Sequence, residues 1–195
     1  MMLTPTRYAG QTVAVVLGGP SLHGYDFSRL AAHPVIAVNK AFLHLPHADM
    51  AVSIDNRFYE SNIRAMHDKP LVMIDRVGWN YAPHVTRVPA IEGMPGAGPH
   101  CSLAGVSTGE NSGFAATMLS LACGAALVFV LGLDLNPGGG WWHDGYPPGW
   151  GPTDAQLDVY RAWWEWAATF PSIRERIINC NPGSAVRGFE RRGLP

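Results

Sequence analysis

The 195-residue sequence predicts one α/β domain with a mainly parallel sheet and helices on both faces. Two observations support this prediction. Short apolar runs alternate with helical patterns, as expected for strands that are buried on both faces of a parallel sheet. Several of these runs also end in glycine, serine, asparagine or aspartate, which is typical of loops at the carboxyl edge of such a sheet.

The first strand is predicted over residues 12–18, where an apolar run stops abruptly. The loop that follows consists of Gly18, Gly19, Pro20 and Ser21. Glycines let the backbone approach a phosphate closely, and backbone N–H groups in such a loop can bind an anion. Since ligands bind outside the carboxyl ends of strands in open α/β sheets, this loop is predicted to bind a nucleotide.

The remaining elements follow from the same alternation. Further strands are predicted over residues 35–39, 50–54, 71–74, 126–131 and 177–180. Helices are predicted over residues 26–30, 56–67 and 114–122, and from residue 153 to about residue 169. This order of strands and helices is the basis for predicting a parallel sheet.

Two segments lack such a pattern. Residues 76–108 are rich in proline and glycine, and they predict a loop-rich insertion with one strand near residues 85–88. Residues 136–152 are dense in glycine, proline and tryptophan, and they predict a loop that acts as a lid. Three tryptophans of the helix that follows, Trp163, Trp164 and Trp166, are predicted to pack in the core.

The amino-acid composition and net charge limit the classes of function that the sequence predicts. Charged residues make up 15% and the net charge is −1, so charge alone does not predict nucleic-acid binding. Arg187, Arg191 and Arg192 cluster near the C-terminus, where a solvated tail is expected and a local nucleic-acid-binding patch is the alternative. The sequence shows no signal peptide and no apolar run long enough to cross a membrane, which predicts a soluble cytoplasmic protein.

The three cysteines, Cys101, Cys123 and Cys180, are odd in number and widely spaced. They form no zinc-ligand pattern, so free thiols in a reducing compartment are expected. Cys123 and Cys180 lie in apolar segments and are predicted to serve packing.

Polar residues follow several of the predicted strands. They are Ser21, Asn39, Asp55, Asp134 and Ser184. Because parallel strands of one sheet end at a shared edge, these residues are predicted to converge on one crevice. The Asn39 amide can read a base or a ribose, or it can simply form a turn. Asp55 and Asp134 can bind a ribose hydroxyl, hold a divalent metal or act as a base, or they can cap helices.

Two further groups are candidates for chemistry. Asn111, Ser112 and Gly113 open a helix, where backbone N–H groups attract phosphate, although plain capping explains them equally well. His143 lies in the tryptophan-rich loop and can take a proton from an acceptor hydroxyl, the alternative being a surface histidine. No phosphate loop of the Gly-x-x-x-x-Gly-Lys type and no Gly-x-Gly-x-x-Gly fingerprint is present.

Four segments of residues 12–189 resemble motifs of a known superfamily. They are residues 18–22, 38–42, 108–134 and 179–184. The superfamily is that of bacterial sialyltransferases related to the Campylobacter lipooligosaccharide enzymes. The first two segments are similar to its Gly-x-Gly-Pro-Ser-Leu loop and its Cys-Asn-Gln-Phe strand end. The last two are similar to its Thr-Ser-Gly helix with the Ser-Gly-Ile-Asp strand and to its Cys-Pro-Asn-Ser ending. Flagellin-modifying motility accessory factors and archaeal hydroxymethylpterin pyrophosphokinase share this core. Small tailed-phage members of the superfamily share a further pattern of Asn-Ser-Gly, Leu-Gly-x-Asp, Trp-His and Asn-Cys-x-Pro-Gly-Ser-Ala. Residues 111–113, 131–134, 142–143 and 179–185 resemble it.

The resemblance implies a Rossmann-like sheet that binds a nucleotide-activated donor, which in the sialyltransferases is a CMP-linked sugar. For this chain we expect a UDP- or CMP-linked sugar. It implies that Ser21, Asn39 and Ser112 touch the nucleotide, that Asp134 lies at the donor and that His143 is the base. It implies no metal requirement, while the two strand-end aspartates leave Mg²⁺ open.

The function predicted from the sequence is that of a glycosyltransferase acting by direct displacement on an acceptor hydroxyl. His143 is the preferred base, with Asp55 or Asp134 as alternatives. The tailed-phage resemblance suggests a hydroxymethylated base in phage DNA as acceptor, which would have to leave the base stack, and a bacterial host cytoplasm as location. Two alternatives are a pyrophosphokinase-like enzyme using ATP and Mg²⁺, and a non-catalytic nucleotide-binding phage protein. The many tryptophans leave room for an oligomer interface.

Overall fold

A computed structural model describes residues 2–64, 70–75, 78–144, 146–147 and 149–195. Its ten strands form one sheet, and they are β1 (Thr12–Val16), β2 (Val35–Val38), β3 (Met50–Ser53), β4 (Leu71–Asp75), β5 (Thr86–Ile91), β6 (Cys101–Ser102), β7 (Gly105–Ser107), β8 (Leu127–Leu131), β9 (Ile177–Asn179) and β10 (Glu190–Arg191). The strand order is β10-β9-β8-β1-β2-β3-β4-β5-β7-β6. Within the described ranges, every neighbouring pair is parallel except β6 with β7. The predicted α/β class with a mainly parallel sheet is confirmed.

The strand order reverses direction at β1. The chain proceeds outward from β1 through β2, β3 and β4 on one side, whereas β8 and β9 lie on the other side. Such a reversal leaves a crevice outside the carboxyl ends of the two central strands. The loops after β1 and β8 therefore flank the point where α/β proteins of this kind bind ligands.

Side chains of β1 alternate between two apolar layers, one on each face of the sheet. On one face Val13 and Val15 pack in a cluster with α2 (Ser112–Ala122) and α3 (Asp154–Ala168). On the other face Ala14 and Val16 pack with α1 (Asn56–Asn62) and with 3-10 turns. These turns are Pro20–Leu22, Phe27–Leu30 and Asn39–His44. A fourth short helix, α4 (Pro171–Arg174), follows α3.

The predicted packing roles are confirmed for several side chains. Trp163 and Trp164 are buried, and the Trp164 ring meets that of Phe114 edge to face with centroids 5.1 Å apart. Cys123 and Cys180 are buried free thiols. Among the described residues, none of the helices has the length and apolar character that a membrane crossing requires.

The sequence-based boundaries need correction in two regions. Residues 78–108 hold three strands rather than one. The strand predicted near residues 85–88 corresponds to β5, and β6 and β7 escaped prediction because they are only two and three residues long. The helix predicted over residues 56–67 ends at Asn62, and residues 65–67 of that prediction lie outside the described part of the chain.

The C-terminal arginines are more ordered than a solvated tail. Residues Glu190–Arg191 form β10 at the edge of the sheet. The Arg191 guanidinium donates hydrogen bonds to the carbonyl oxygens of Pro182, at 3.2 Å, and Val186, at 2.6 Å. Arg192 forms an ion pair with Glu190. Arg191 therefore braces the turn that follows β9.

Candidate functional site

A cleft of about 970 Å³ lies at the carboxyl edge of the sheet, which is within the range of roughly 300–1,000 Å³ typical of small-molecule sites. The loops after β1, β2, β3 and β8 line it, together with the start of α2 and the first turns of α3. Most of the predicted site residues line this cleft, namely Gly18, Gly19, Pro20, Asn39, Asp55, Asn111, Ser112, Gly113 and Asp134. The predicted residues Ser21, His143 and Ser184 are not among its lining residues.

Asp134 is the centre of a buried hydrogen-bond network. Its Oδ2 accepts from the Ser21 hydroxyl at 2.9 Å, and its Oδ1 accepts from the side-chain amide of Asn181. Its main-chain carbonyl accepts from Ala185 N–H and from the Ser184 hydroxyl. Burial raises the pKa of Asp134, while the bonds from Ser21 and Asn181 oppose that rise. Asp134, Ser21 and Ser184 therefore join the loops after β1, β8 and β9, which gives them a structural role.

Gly19 packs against this network with no space for a side chain. A Cβ at this position would lie 1.7 Å from Asp134 Oδ2 and 2.3 Å from the carbonyl oxygen of Gly132. The Gly19 N–H donates to that Gly132 carbonyl at 3.1 Å, and the Ser21 N–H donates to Asp134 Oδ2 at 3.4 Å. The prediction that the N–H groups of residues 18–21 bind a phosphate needs correction, because two of them already have protein acceptors and Pro20 has no N–H.

The start of α2 combines capping with backbone donors that have no partner within the helix. Asn111 caps the helix, since its Oδ1 accepts from Phe114 N–H at 3.0 Å. The Ser112 hydroxyl accepts from Ile54 N–H at 3.2 Å, which joins this helix to the end of β3. By helix geometry the N–H groups of Ser112 and Gly113 have no carbonyl partner within α2, and the helix dipole favours an anion there.

Asp55 is the strand-end carboxylate that remains open to the cleft. It caps α1 by accepting from Arg57 N–H at 2.9 Å. It also forms an ion pair with the Arg57 guanidinium, with 3.0 Å between Nη2 and Oδ2. The Asp55 side chain is 29% exposed and that of Arg57 is 63% exposed. Both residues line the cleft, so Asp55 is better placed than Asp134 to accept a proton from a bound molecule.

The predicted lid, residues 136–152, folds back onto the strand ends. The Trp142 indole N–H donates to the Leu17 carbonyl at 2.7 Å, and Trp142 N–H donates to the Gly18 carbonyl at 3.2 Å. The Tyr146 hydroxyl accepts from Lys40 N–H at 3.3 Å. The described residues of this segment therefore cover the carboxyl ends of β1 and β2.

His143 is packed among rings instead of facing the cleft. Its imidazole stacks on His44 with centroids 5.6 Å apart, and it lies 6.0 Å from the Trp141 ring. Burial, together with the nearby His44 and Lys40, lowers the pKa of His143 to about 4. A base of such low pKa accepts a proton poorly near neutral pH. This environment favours a packing role for His143 over the predicted role as base.

Backbone strain is concentrated at the same cleft. Within the described ranges, three residues other than glycine have positive φ, namely Asn39 at 50°, Glu110 at 54° and Leu135 at 49°. All three line the cleft. Conformations of this kind cost about 1–3 kcal/mol each and cluster at ligand-binding sites. The positive φ angles of these three residues therefore indicate that the cleft binds a ligand. This indication does not depend on the chemical role predicted for any side chain.

Several cleft residues were not selected from the sequence. They include Arg57, Trp150, Gln156 and Tyr160, all of which line the cleft. For these residues, the sequence pattern indicated only that the aromatic loop over residues 136–152, which contains Trp150, was of functional interest. In the described part of the chain, no group of three or more His, Cys, Asp or Glu side chains forms a metal site. Both carboxylate oxygens of Asp134 accept hydrogen bonds from the protein.

The sequence matches no family model, and neither the curated proteins nor the solved structures contain a match to it. The resemblance to the sialyltransferase superfamily therefore stays a prediction.

Proposed function

We propose that this chain is a glycosyltransferase that binds a nucleotide-linked sugar in the cleft and transfers the sugar to an acceptor hydroxyl. The observation that carries the proposal is the position of the cleft. It lies where the strand order reverses, and three strained residues and the start of an α-helix line it. This is the place where open α/β sheets bind phosphorylated ligands.

The lining of the cleft suits the parts of such a donor. The N–H groups of Ser112 and Gly113 are placed to bind the donor phosphates. The rings of Trp141 and Tyr146 offer flat apolar surfaces for a base or a sugar. The cleft volume of about 970 Å³ accommodates both parts together.

The proposed reaction is a direct displacement. Asp55 accepts the proton of the acceptor hydroxyl, and the acceptor oxygen forms a bond to the anomeric carbon of the sugar. The bond from that carbon to the phosphate oxygen breaks, and the leaving nucleotide keeps the electron pair. Positive electrostatic potential at the start of α2 stabilises the phosphate charge that develops.

The donor, acceptor and setting belong to the proposal as well. We propose a UDP- or CMP-linked donor and, as acceptor, a hydroxymethylated base in phage DNA, with the reaction in the cytoplasm of a bacterial host. Such a base must leave the helical stack before its hydroxyl can reach Asp55.

A thermal-shift screen with UDP, CMP, GDP, ADP, ATP and their sugars, with and without Mg²⁺, tests the binding step. A ligand present at 100 times its Kd stabilises the folded state by about 2.7 kcal/mol, which raises the melting temperature measurably. We expect a UDP- or CMP-linked sugar to do so without Mg²⁺. A shift with ATP and Mg²⁺ alone would instead support the pyrophosphokinase-like alternative, and no shift with any compound would contradict nucleotide binding.

Turnover tests the chemical step. Sugar transfer to hydroxymethylated DNA should fall by about 100-fold or more in Asp55→Asn, since general-base catalysis contributes about 10²–10⁴-fold. The matched control Asp144→Asn changes an exposed aspartate of the lid that does not line the cleft, and it should keep activity. Nucleotide binding by the wild type without any transfer would support the non-catalytic alternative.

A further inference from the structure

Four side chains form a continuous stack between α1 and the lid. The Arg57 guanidinium carbon lies 5.1 Å from the centre of the Trp150 ring. Trp150 stacks on Tyr146 with centroids 6.1 Å apart and planes 15° apart. The Lys40 ammonium lies 5.2 Å from the centre of the Tyr146 ring. We call Arg57, Trp150, Tyr146 and Lys40 the cation–aromatic stack.

Arg57 has a second partner besides the lid. Its guanidinium contacts both carboxylate oxygens of Asp55, with 3.2 Å from Nε to Oδ1 and 3.0 Å from Nη2 to Oδ2. One exposed cation is thus shared between the proposed base and a ring of the lid. Exposed ion pairs and exposed cation–π contacts are both weak, so a stronger anion can take Arg57 from both partners.

The proposed phosphate position lies in the same cleft as this arginine. The bond from Ile54 N–H to the Ser112 hydroxyl connects the residue before Asp55 to the first residue of α2. Arg57, Ser112 and Gly113 line the same cleft. A guanidinium binds phosphate through two parallel N–H···O bonds, which are stronger than its contacts with water or with an aromatic ring.

We propose that Arg57 binds the phosphate of the donor, and that its departure from Asp55 and Trp150 couples donor binding to base exposure and lid release. The inference rests on the proposed function and names the side chain that recognises the donor charge. Before donor binding, Asp55 is held in an ion pair and Trp150 is held by the cation. After donor binding, the Asp55 carboxylate is available to the acceptor hydroxyl, and the lid loses one of its attachments.

Calorimetric titrations of Arg57→Gln test the first half of the proposal. Loss of a charge-assisted pair should weaken UDP or CMP binding by roughly tenfold to a hundredfold. Uridine and cytidine lack the phosphate, so their affinities should be unchanged. The matched control Arg174→Gln alters an exposed arginine of α4 that pairs with Glu175 and does not line the cleft, so its nucleotide affinity should equal that of the wild type.

Tryptophan fluorescence tests the second half. Addition of UDP or CMP to the wild type should shift the emission to longer wavelength, because Trp150 gains exposure to water when Arg57 leaves it. The shift should be much smaller in Trp150→Phe, which keeps an aromatic ring in the lid. Equal shifts in the two proteins would overturn the coupling to the lid.

The outcomes separate this inference from the function on which it rests. If the wild type binds no nucleotide, the proposed function fails and the role of Arg57 fails with it. If the wild type and Arg57→Gln bind UDP or CMP equally tightly, the role of Arg57 is wrong while the nucleotide site stands. Arg57 is 63% exposed, so the variant should fold, and equal melting temperatures without ligand would confirm that it does.

Discussion

Burial separates the two aspartates that follow β3 and β8. Asp134 is 6% exposed, and each of its carboxylate oxygens accepts a hydrogen bond from the protein. The carboxylate therefore holds together the loops after β1, β8 and β9. Asp55 is partly exposed and pairs with an exposed arginine. Two residues of one type, at similar places in the sheet, therefore have different chemical availability because of the groups that surround them.

Gly19 allows a direct test of the network around Asp134. Gly19→Ala places a methyl group 1.7 Å from Asp134 Oδ2, so either the loop or the aspartate must move. We expect a loss of more than about 2 kcal/mol in the free energy of unfolding, measured by urea denaturation. Nucleotide affinity should also fall, because the loop after β1 lines the cleft.

Gly96→Ala is the matched control for this change. No atom lies within 4 Å of a Cβ built at Gly96, which is exposed. Its free energy of unfolding should stay within about 0.5 kcal/mol of the wild-type value. A Gly19→Ala protein as stable as Gly96→Ala would show that the loop after β1 is not held tightly against Asp134.

Single residues were predictable where local sequence determines their place. Asn39, Asp55 and Ser112 follow from the rule that strand ends and helix starts meet at one edge of a parallel sheet. Arg57 did not follow, because its contact with Trp150 exists only once the lid has folded back. The low pKa of His143 was equally hidden, since it results from burial beside His44, a distant residue in the chain.

At the scale of elements, the lid is attached at two separate places. Trp142 donates hydrogen bonds to the loop after β1, and the cation–aromatic stack attaches Tyr146 and Trp150 to residues 40 and 57. The first attachment uses backbone carbonyls that a ligand does not compete for. The second uses cations that a phosphate does compete for. A phosphate can thus loosen the lid at Trp150, while the bond from Lys40 N–H to the Tyr146 hydroxyl and the bonds of Trp142 stay in place.

Acidification should weaken the packing of the lid through His143. Its pKa is about 4 in the folded protein against an ordinary 6.5, so between these values the unfolded chain binds a proton that the folded chain does not. The stabilisation is complete above pH 6.5 and is lost as the pH falls towards 4. We expect a loss of about 1–2 kcal/mol, less than the full shift implies because the ring is partly exposed.

Urea denaturation between pH 7 and pH 4 measures this effect by difference. The decline in the free energy of unfolding should be smaller in His143→Gln than in the wild type. His23→Gln, at an exposed histidine outside the lid, should behave as the wild type does. Parallel pH profiles for the wild type and His143→Gln would contradict the packed, neutral state of this ring.

Elements were predictable in proportion to their length and burial. The apolar runs of β1 and β8 and the capping residues of α3 predicted these elements well, and Thr153 with Gln156 forms a complete capping box. Strands β6, β7 and β10 were missed because two or three residues carry no periodicity. They form by pairing with an existing sheet edge, which depends on distant residues.

At the scale of the whole molecule, the sheet brings distant chain segments to one rim. Residues near positions 19, 39, 55, 112 and 134 line one cleft, although each follows a different strand or begins a helix. The parallel pairing of β1 with both β2 and β8 places the reversal of strand order at this point. The sequence predicted the convergence, whereas the shape of the cleft depends on how the lid and α3 close its other side.

Hydrogen–deuterium exchange with and without the stabilising nucleotide tests the central claim most directly. One bound nucleotide should slow exchange together in the loop after β2, in the loop between β3 and α1, and at Ser112 and Gly113. It should leave β6 and β10, at the two edges of the sheet, unchanged. Protection confined to one of these segments, or located at the sheet edges, would contradict a single nucleotide site built from these strand ends.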